Sequence, residues 1–436
     1  MAEFKFEVIK QDKNSRGRAG IIHTRRGDIE TPYFVPVGTL ASVRTLDSAD
    51  LEILGAQCAL INTYHLHLKP GDKTIKELGG AHRFMNFNKP LFSDSGGFQA
   101  FSLGLAREHN IGKIGNFFPA ESKIQRGSPE FERRRPAGDE VRLGRSAEIL
   151  EANSPESCSC ELKKENLTKV TDDGIEFKSV YDGSRHFLDA KKSMEIQSNL
   201  DSDIIMAFDE CTSPLSDKDY IAKAMARTHE WAKQSLEYHD QSQALYGIIQ
   251  GGFFRDLRDE STRLINSLPF DGIAIGGSLG DSKRDMHEIL EWVVPQLDER
   301  PRHLLGIGEV DDIFECAARG IDTFDCVGPT RIARRANLYL LPQSGGGRGN
   351  KFRINISGAK YKSDSGPVDQ NCQCPVCQNY SAAYLHHLYN ARELSYFRLA
   401  TIHNLWFMLK LMEHIRESIK AGKFGELKRE WLRLND

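Results

Sequence analysis

The sequence predicts an α/β protein built on an eight-stranded parallel (β/α)8 TIM barrel. Three observations carry that prediction. Eight short apolar runs recur along the chain, YFVPVG, CALINTYH, PLFSDSGG, DIIMAFDE, ALYGIIQGG, GIAIGGS, HLLGIGE and TFDCVGPT. Their continuous rather than alternating apolar character fits strands covered on both faces. Segments of helical periodicity stand between them, and the unusual residues Asn62, Asp94, Asp209, Gln250, Gly277, Gly308 and Asp325 all fall at the C-terminal ends of the runs. In a barrel those ends form a single face, the one that carries chemistry. A doubly wound open sheet is the competing arrangement for the same pattern.

Taken in order, GIIHTRRGDIETPYF reads as an N-terminal hairpin ahead of the first run. YIAKAMARTHEWAKQSLEYH and KRDMHEILEWVVPQL read as barrel helices. Two stretches break the rhythm. Leu105 to about Asn166, between the third and fourth strands, is longer than a barrel loop should be and carries ERRRPAGDE and SCSCELKKE. Its polar composition predicts a disordered or loosely packed excursion, with a partner-binding lid on the catalytic face as the alternative. After the eighth strand, LLPQSGGGRGNKF reads as the Gly-rich connection of a hairpin. The expected organisation is one catalytic barrel over 1–436, with the 105–166 insertion, a metal-binding subdomain over 337–404 and a helical segment over 405–436.

A chain of 436 residues with formal net charge -3 buries a sizeable core but lacks the general positive charge of a nucleic-acid binder. Any contact with RNA must come from a local patch. The first twenty residues hold no apolar stretch of signal-peptide length, and no run approaches the length of a membrane span, so a cytoplasmic protein without membrane contact is expected.

Nine cysteines in a chain of this length do not make a disulfide scaffold. Cys372, Cys374 and Cys377 instead form C-x-C-x-x-C, with His403 lying 26 residues beyond Cys377 in the helical stretch LATIHNLWFML. Three thiolates and one imidazole make a closed tetrahedral set for one structural Zn2+, with no position left for a reactive water. His386 and His387 are rival ligands at short range. Cys158 and Cys160 form a second close pair without partners and read as unassigned thiols.

The densest stretch is RGIDTFDCVGPTRIARR, where a short buried strand delivers Asp325 to the rim and Thr330, Arg331, Arg334 and Arg335 follow at a spacing suited to phosphate oxygens. An Asp capping the next helix above a solvated basic turn is the plainer explanation of this stretch by itself. SDSGGFQ adds Asp94 at a strand end, with two glycines that let backbone amides approach a flat ligand. Together with Asp209, Gln250 and Gly277 it gives a ring of acceptors and donors matched to a purine edge such as that of guanine.

With these motifs in place the chain resembles the tRNA-guanine transglycosylases, also called queuine tRNA-ribosyltransferases. The resemblance runs through NTYHLHLKPG, SDSGGFQ, MAFDECT, GIIQGG, GIDTFDCVGPTR, YKSDSGP, AYLHHL and the three cysteines with His403. It covers nearly the whole chain outside the insertion and the Gly-rich turn. It implies a cytoplasmic pentosyltransferase of queuosine biosynthesis. Such an enzyme exchanges guanine at the wobble position of tRNAs whose anticodon begins G-U for a 7-deazaguanine base, through a covalent enzyme–RNA intermediate. It also implies roles: Asp325 as nucleophile, Asp94 as general acid/base, and Asp94, Ser95, Gly96, Gly97, Phe98, Asp209, Gln250 and Gly277 around the base. Gly306, Ile307, Gly308, Glu309, Val310, Asp311 and Asp312, with Thr330, Arg331, Ile332, Ala333 and Arg334, match the segments that grip the anticodon loop. Partners implied are the tRNA anticodon loop, free guanine and 7-deazaguanine bases, and a second copy of the chain in a homodimer joined through the zinc region.

The chain departs from the usual bacterial pattern after Gly277, where Ser278, Leu279, Gly280 and Asp281 make a segment one position shorter. That segment borders the substituent of the incoming base, so 7-aminomethyl-7-deazaguanine and full-size queuine both stay open. Two other functions compete: a silent RNA-binding paralogue, which has no need of two strand-end acids, and a barrel glycoside hydrolase, which has no need of a zinc subdomain or an arginine cluster.

Overall fold

A computed structural model describes residues 4–101, 168–179 and 181–433 of the chain. The expected insertion and the Cys158/Cys160 pair lie outside the described residues. Three antiparallel strands open the fold, β1 (Lys5–Gln11), β2 (Arg18–Thr24) and β3 (Gly27–Thr31), so the expected hairpin gains an extra strand.

The barrel follows. Its strands are β4 (Tyr33–Val35), β5 (Val37–Gly38), β6 (Ala59–Ile61) and β7 (Leu91–Ser93). A small antiparallel sheet, β8 (Thr168–Val170), β9 (Ile175–Lys178) and β10 (Arg185–Leu188), intervenes. The barrel then resumes with β11 (Ile204–Met206), β12 (Ala244–Ile249), β13 (Gly272–Ile275), β14 (Arg302–Leu304) and β15 (Thr323–Asp325), all parallel in the order β4-β15-β14-β13-β12-β11-β7-β6-β5. Nine strands make eight staves because β4 and β5 are one strand interrupted at Pro36. Proline has no N–H to give the ladder. One half pairs with the last strand, Phe34 opposite Phe324 and Val35 opposite Asp325. The other half pairs with the second stave, Val37 opposite Leu60, which brings the sheet round on itself.

Helices cover the outside at the expected places. Lys218–Tyr238 starts where Asp217 accepts the Tyr220 N–H, and it buries Ile221, Ala224, Met225, Thr228, Trp231 and Ala232, the spacing of a single helix face. Trp231 packs on Phe208 with ring centroids 4.8 Å apart. Truncating a buried aromatic of this kind costs about 3–5 kcal/mol. Lys283–Val293 starts from a capping box between Ser282 and Asp285. Among the described residues no helix is long and apolar enough to cross a membrane.

After β15, the helix Gly328–Ala333 leads into the hairpin β16 (Asn337–Tyr339) and β17 (Arg353–Asn355), whose long connection is the Gly-rich turn. The 27-residue helix Leu394–Lys420 then packs against Gly328–Ala333, β16, β4, β1 and β2. It runs unbroken through residues 404 and 405, so the expected boundary between the metal-binding and C-terminal segments falls inside one rigid element.

Candidate active site

Strand ends converge at the C-terminal mouth of the barrel. Asn62 follows β6 and caps the helix Thr63–Leu68, its side chain accepting from the His65 N–H. The same Asn62 donates through Nδ2 to Asp94 at the end of β7, in a very short contact. Asp94 also accepts from the Thr63 N–H at 2.9 Å and from Gln99 Nε2 at 3.0 Å. Burial pushes the Asp94 carboxyl up, the Thr63 amide pulls it down, and the negative charge of Asp325 pushes it up again, to about 7. The two acids stand at the C-terminal ends of β7 and β15, on the same rim of the parallel barrel and near enough to interact, although 231 residues separate them along the chain.

Asp325 is held differently. Its Oδ1 lies 3.1 Å from His303 Nε2 and accepts the Gly306 N–H at 3.2 Å. His303, fully buried on β14, is itself fixed by Thr323 Oγ1 at 2.9 Å and stacks on Phe92. One carboxylate oxygen is thus oriented by two partners, while Oδ2 has none among the described hydrogen bonds.

Beside the two acids lies a buried polar ring. Ser95 Oγ donates to Asp209 Oδ1 at 2.7 Å, and Gln250 Nε2 donates to Asp209 Oδ2 at 2.8 Å. Burial raises the Asp209 carboxyl to about 6 against the pull of those two bonds. Gln250 Oε1 is buried without a hydrogen-bond partner among the described residues, an acceptor turned toward Gly277. Gly277 has φ +76°, and a Cβ there would come within 2.1 Å of that oxygen. Gly97 is under a similar constraint, since its Cβ would meet the Asp209 carbonyl at 2.3 Å. Ser95, Gly96 and Gly97 are buried, while Phe98 is 36% exposed at the rim.

The expected RNA-gripping segments divide into inward and outward residues. Ile307, Gly308, Val310, Thr330 and Ala333 are buried, and Ile332 is half-buried. Asp311 and the buried Asp312 both pair with Lys283, and Glu309 pairs with Arg353 of β17. Gly306, Arg331 and Arg334 remain half-open to solvent.

Several residues of the site escape sequence reasoning. His303 shows in the sequence only as part of an apolar run. Arg258, fully buried and without a carboxylate partner among the described ion pairs, donates to the carbonyls of Ile249, Gly252, Gly276 and Ser278 at 2.8–3.1 Å. Burial pushes its guanidinium down to about 9. It ties the turn that carries Gln250 to the turn that carries Gly277, and its only sequence signal is an arginine on the apolar side of a barrel helix. The shortened Ser278–Asp281 segment closes by donating the Asp281 N–H to Asp285 at 2.8 Å.

The metal-ligand atoms of Cys372, Cys374, Cys377 and His403 lie within 4.8 Å of one another, and all four residues are buried. His403 Nδ1 stands 3.4 Å from both Cys374 Sγ and Cys377 Sγ, while Nε2 is engaged by the Tyr339 carbonyl at 2.9 Å. A carbonyl on the far nitrogen orients a histidine as a ligand, so the set fits a tetrahedral metal ion. The rivals are placed elsewhere: His386 Nδ1 bonds the Ile356 carbonyl, and His387 stands outside the cluster.

Comparison with known proteins supplies the family. The profile of the queuine tRNA-ribosyltransferase family matches residues 12–123 and 146–436. A protein of Archaeoglobus fulgidus named putative queuine tRNA-ribosyltransferase is 54% identical, with 96% of each chain covered. Proteins named queuine tRNA-ribosyltransferase from Roseiflexus sp. and Staphylococcus aureus are 41% and 40% identical, over 98% and 99% of this chain and 98% and 96% of theirs.

Proposed function

The chain belongs to the queuine tRNA-ribosyltransferase family, and we propose that it replaces guanine with a 7-deazaguanine base at the wobble position of tRNA. The observation that carries this reading is the convergence of Asp94 and Asp325 on one rim of the barrel beside the Ser95–Asp209–Gln250 ring. Both acids are needed because exchange with retained configuration takes two inversions through a covalent sugar ester.

In the first step Oδ2 of Asp325 forms a bond to C1′ while the C1′–N9 bond breaks, its electron pair leaving with guanine, which takes the proton held by Asp94 and so leaves Asp94 as a carboxylate for the second step. His303 and the Gly306 N–H hold Oδ1 and so aim the other oxygen. In the second step the incoming base passes a proton to Asp94 and attacks C1′, and the ester bond to Asp325 breaks. A group that titrates near 7 suits that proton transfer. Asp209, Gln250 and Gly277 would read the purine edge and Phe98 would stack on its face. Their interactions must repay the few kcal/mol needed to draw the nucleoside out of the anticodon stack.

Cys372, Cys374, Cys377 and His403 would hold one Zn2+, which would tie the segment 372–377 to the long helix and take no part in the exchange. Elemental analysis of purified protein should find one zinc per chain. The shorter Ser278–Asp281 segment supports admission of the larger incoming base, and an exchange assay in which queuine is rejected would reverse that choice.

The central experiment supplies labelled guanine and a tRNA with a G-U anticodon start to the parent and to Asp325→Asn. Exchange and a trapped covalent RNA adduct in the parent alone are the expected results. Equal exchange in both would remove Asp325 from the reaction.

A further inference from the structure

His303 is fully buried, in a place that an apolar side chain would fill without burying two polar nitrogens. Both nitrogens are nevertheless satisfied. In the parallel register His303 stands opposite Thr323, and Asp325 follows two residues later on the same face of β15. Nδ1 therefore meets Thr323 Oγ1 at 2.9 Å while Nε2 meets Asp325 Oδ1 at 3.1 Å. Phe92 of β7 covers the ring, with centroids 5.6 Å apart and planes 28° from parallel. Three staves separate β7 from β14, so these two rings meet across the inside of the barrel.

The partners fix where the protons lie. A carboxylate oxygen only accepts, so Nε2 carries the proton between itself and Oδ1. In the neutral ring Nδ1 is then an acceptor, and the Thr323 hydroxyl, which has no other partner among the described hydrogen bonds, donates to it. Thr323 thus selects the tautomer. Oδ1 receives two donors, Nε2–H and the Gly306 N–H at 3.2 Å, and both stay in place through the exchange because the bond to C1′ is made by Oδ2. What changes is the charge on Oδ1. It belongs to an anion before attack and after departure and to a neutral ester in between, and a hydrogen bond to the anion is the stronger. Two fixed donors therefore favour the free carboxylate over the ester.

We propose that His303 is a positioning residue with a second task, to make Asp325 a better leaving group so that the covalent intermediate is released rather than stored, and that Thr323 keeps the proton on Nε2 for that purpose. The proposal rests on the exchange reading above. In the step concerned the C1′–Oδ2 bond breaks and its electron pair returns to the carboxylate, while N9 of the incoming base bonds to C1′ and its proton passes to Asp94. His303 gives up no proton; it holds one against Oδ1 throughout. A lingering ester would be open to water, which would leave the RNA without a base, so ready departure favours exchange over hydrolysis.

The test mixes a labelled tRNA anticodon stem–loop with the parent, His303→Phe, His303→Gln and Thr323→Val, follows the RNA–protein adduct on denaturing gels, and times its decay after excess guanine is added. His303→Phe keeps a ring against Phe92 but has no donor. Its ratio of adduct formation rate to decay rate should rise about tenfold, the gap between a hydrogen bond to a carboxylate and one to an ester carbonyl. His303→Gln, whose amide can donate to Oδ1, should recover part of the parent ratio, and Thr323→Val should move the ratio the same way by less. A role in packing or aiming alone would slow formation and decay together and leave the ratio unchanged, which would overturn the proposal. If His303→Phe yields no folded protein, Thr323→Val, with a methyl in place of one hydroxyl, decides by the same ratio. A parent that forms no adduct with the stem–loop would instead sink the exchange reading itself.

Discussion

The two ends of the barrel treat their carboxylates in opposite ways. At the N-terminal end Asp203, one residue before β11, shares a 2.9 Å bond with His82, accepts the Leu91 N–H at 2.9 Å, and pairs with Arg25 and Arg26. Burial works against its charge, but these partners outweigh it and hold the carboxyl down at about 2. Asp322, just before β15, is likewise gripped by both ends of the Arg18 fork and by the Arg302 N–H. At the C-terminal mouth Asp94 and Asp209 are enclosed with amides and a hydroxyl but no cation among the described ion pairs, and both are pushed up. Asp271 supports this account from the N-terminal end: it keeps a backbone bond to Leu245 but forms no ion pair among the described residues, and burial raises it. Arginine partners separate Asp203 and Asp322 from Asp94 and Asp209, but Asp312, 3.0 Å from Lys283 and still pushed up to about 7 by burial, shows that burial can outweigh a neighbouring cation.

Exchanging the two behaviours gives the largest expected effects. Asp325→Asn at the mouth should cost on the order of 10³-fold or more in guanine exchange, as loss of a nucleophile does, with a melting midpoint close to the parent's. Asp203→Asn at the other end should do the reverse. It leaves Arg25 and Arg26 without their buried partner and costs about 3 kcal/mol of stability, measurable by denaturant unfolding.

The pH dependence sharpens the contrast. A carboxyl held at about 2 in the fold, against about 3.9 unfolded, contributes stability that is present above pH ~4 and lost as pH falls toward 2. Carboxyls raised to about 7 and about 6 contribute the opposite: stability present below pH ~4 and lost as pH rises to 6–7. Melting midpoints across pH 2–8 should show both flanks. Asp209→Asn should flatten the upper flank alone, and Asp203→Asn the lower one; an Asp209→Asn profile that superimposes on the parent's would refute the assignment.

The smallest effect is at Gly277. Gly277→Ala would force a Cβ against Gln250 Oε1 at a left-handed φ, and KM for the free base should rise about tenfold, ~1.4 kcal/mol, with RNA affinity unchanged.

Much of this was legible in the chain before folding. Continuous apolar runs marked the eight staves because a strand covered on both faces has no polar face to show, and Asp94, Asp209, Gln250, Gly277 and Asp325 stood out at their ends. The sheet β8–β10 was not legible, since its strands are three or four residues long, too short for their alternation of buried and exposed residues to show as a pattern. Nor was Arg258 or Asn404, because each bonds residues that only folding brings near.

The amino-acid order by itself determined which side chains could do chemistry, through runs, breaks and the spacing of cysteines, all of which are local properties. Tertiary structure decided their chemical state. His303 became a support for Asp325 and Asn404 a clamp on an arginine segment. Two aspartates of equal intrinsic acidity, Asp94 and Asp203, came to titrate at about 7 and about 2, because burial and the sign of the nearest charge depend on segments up to hundreds of residues away.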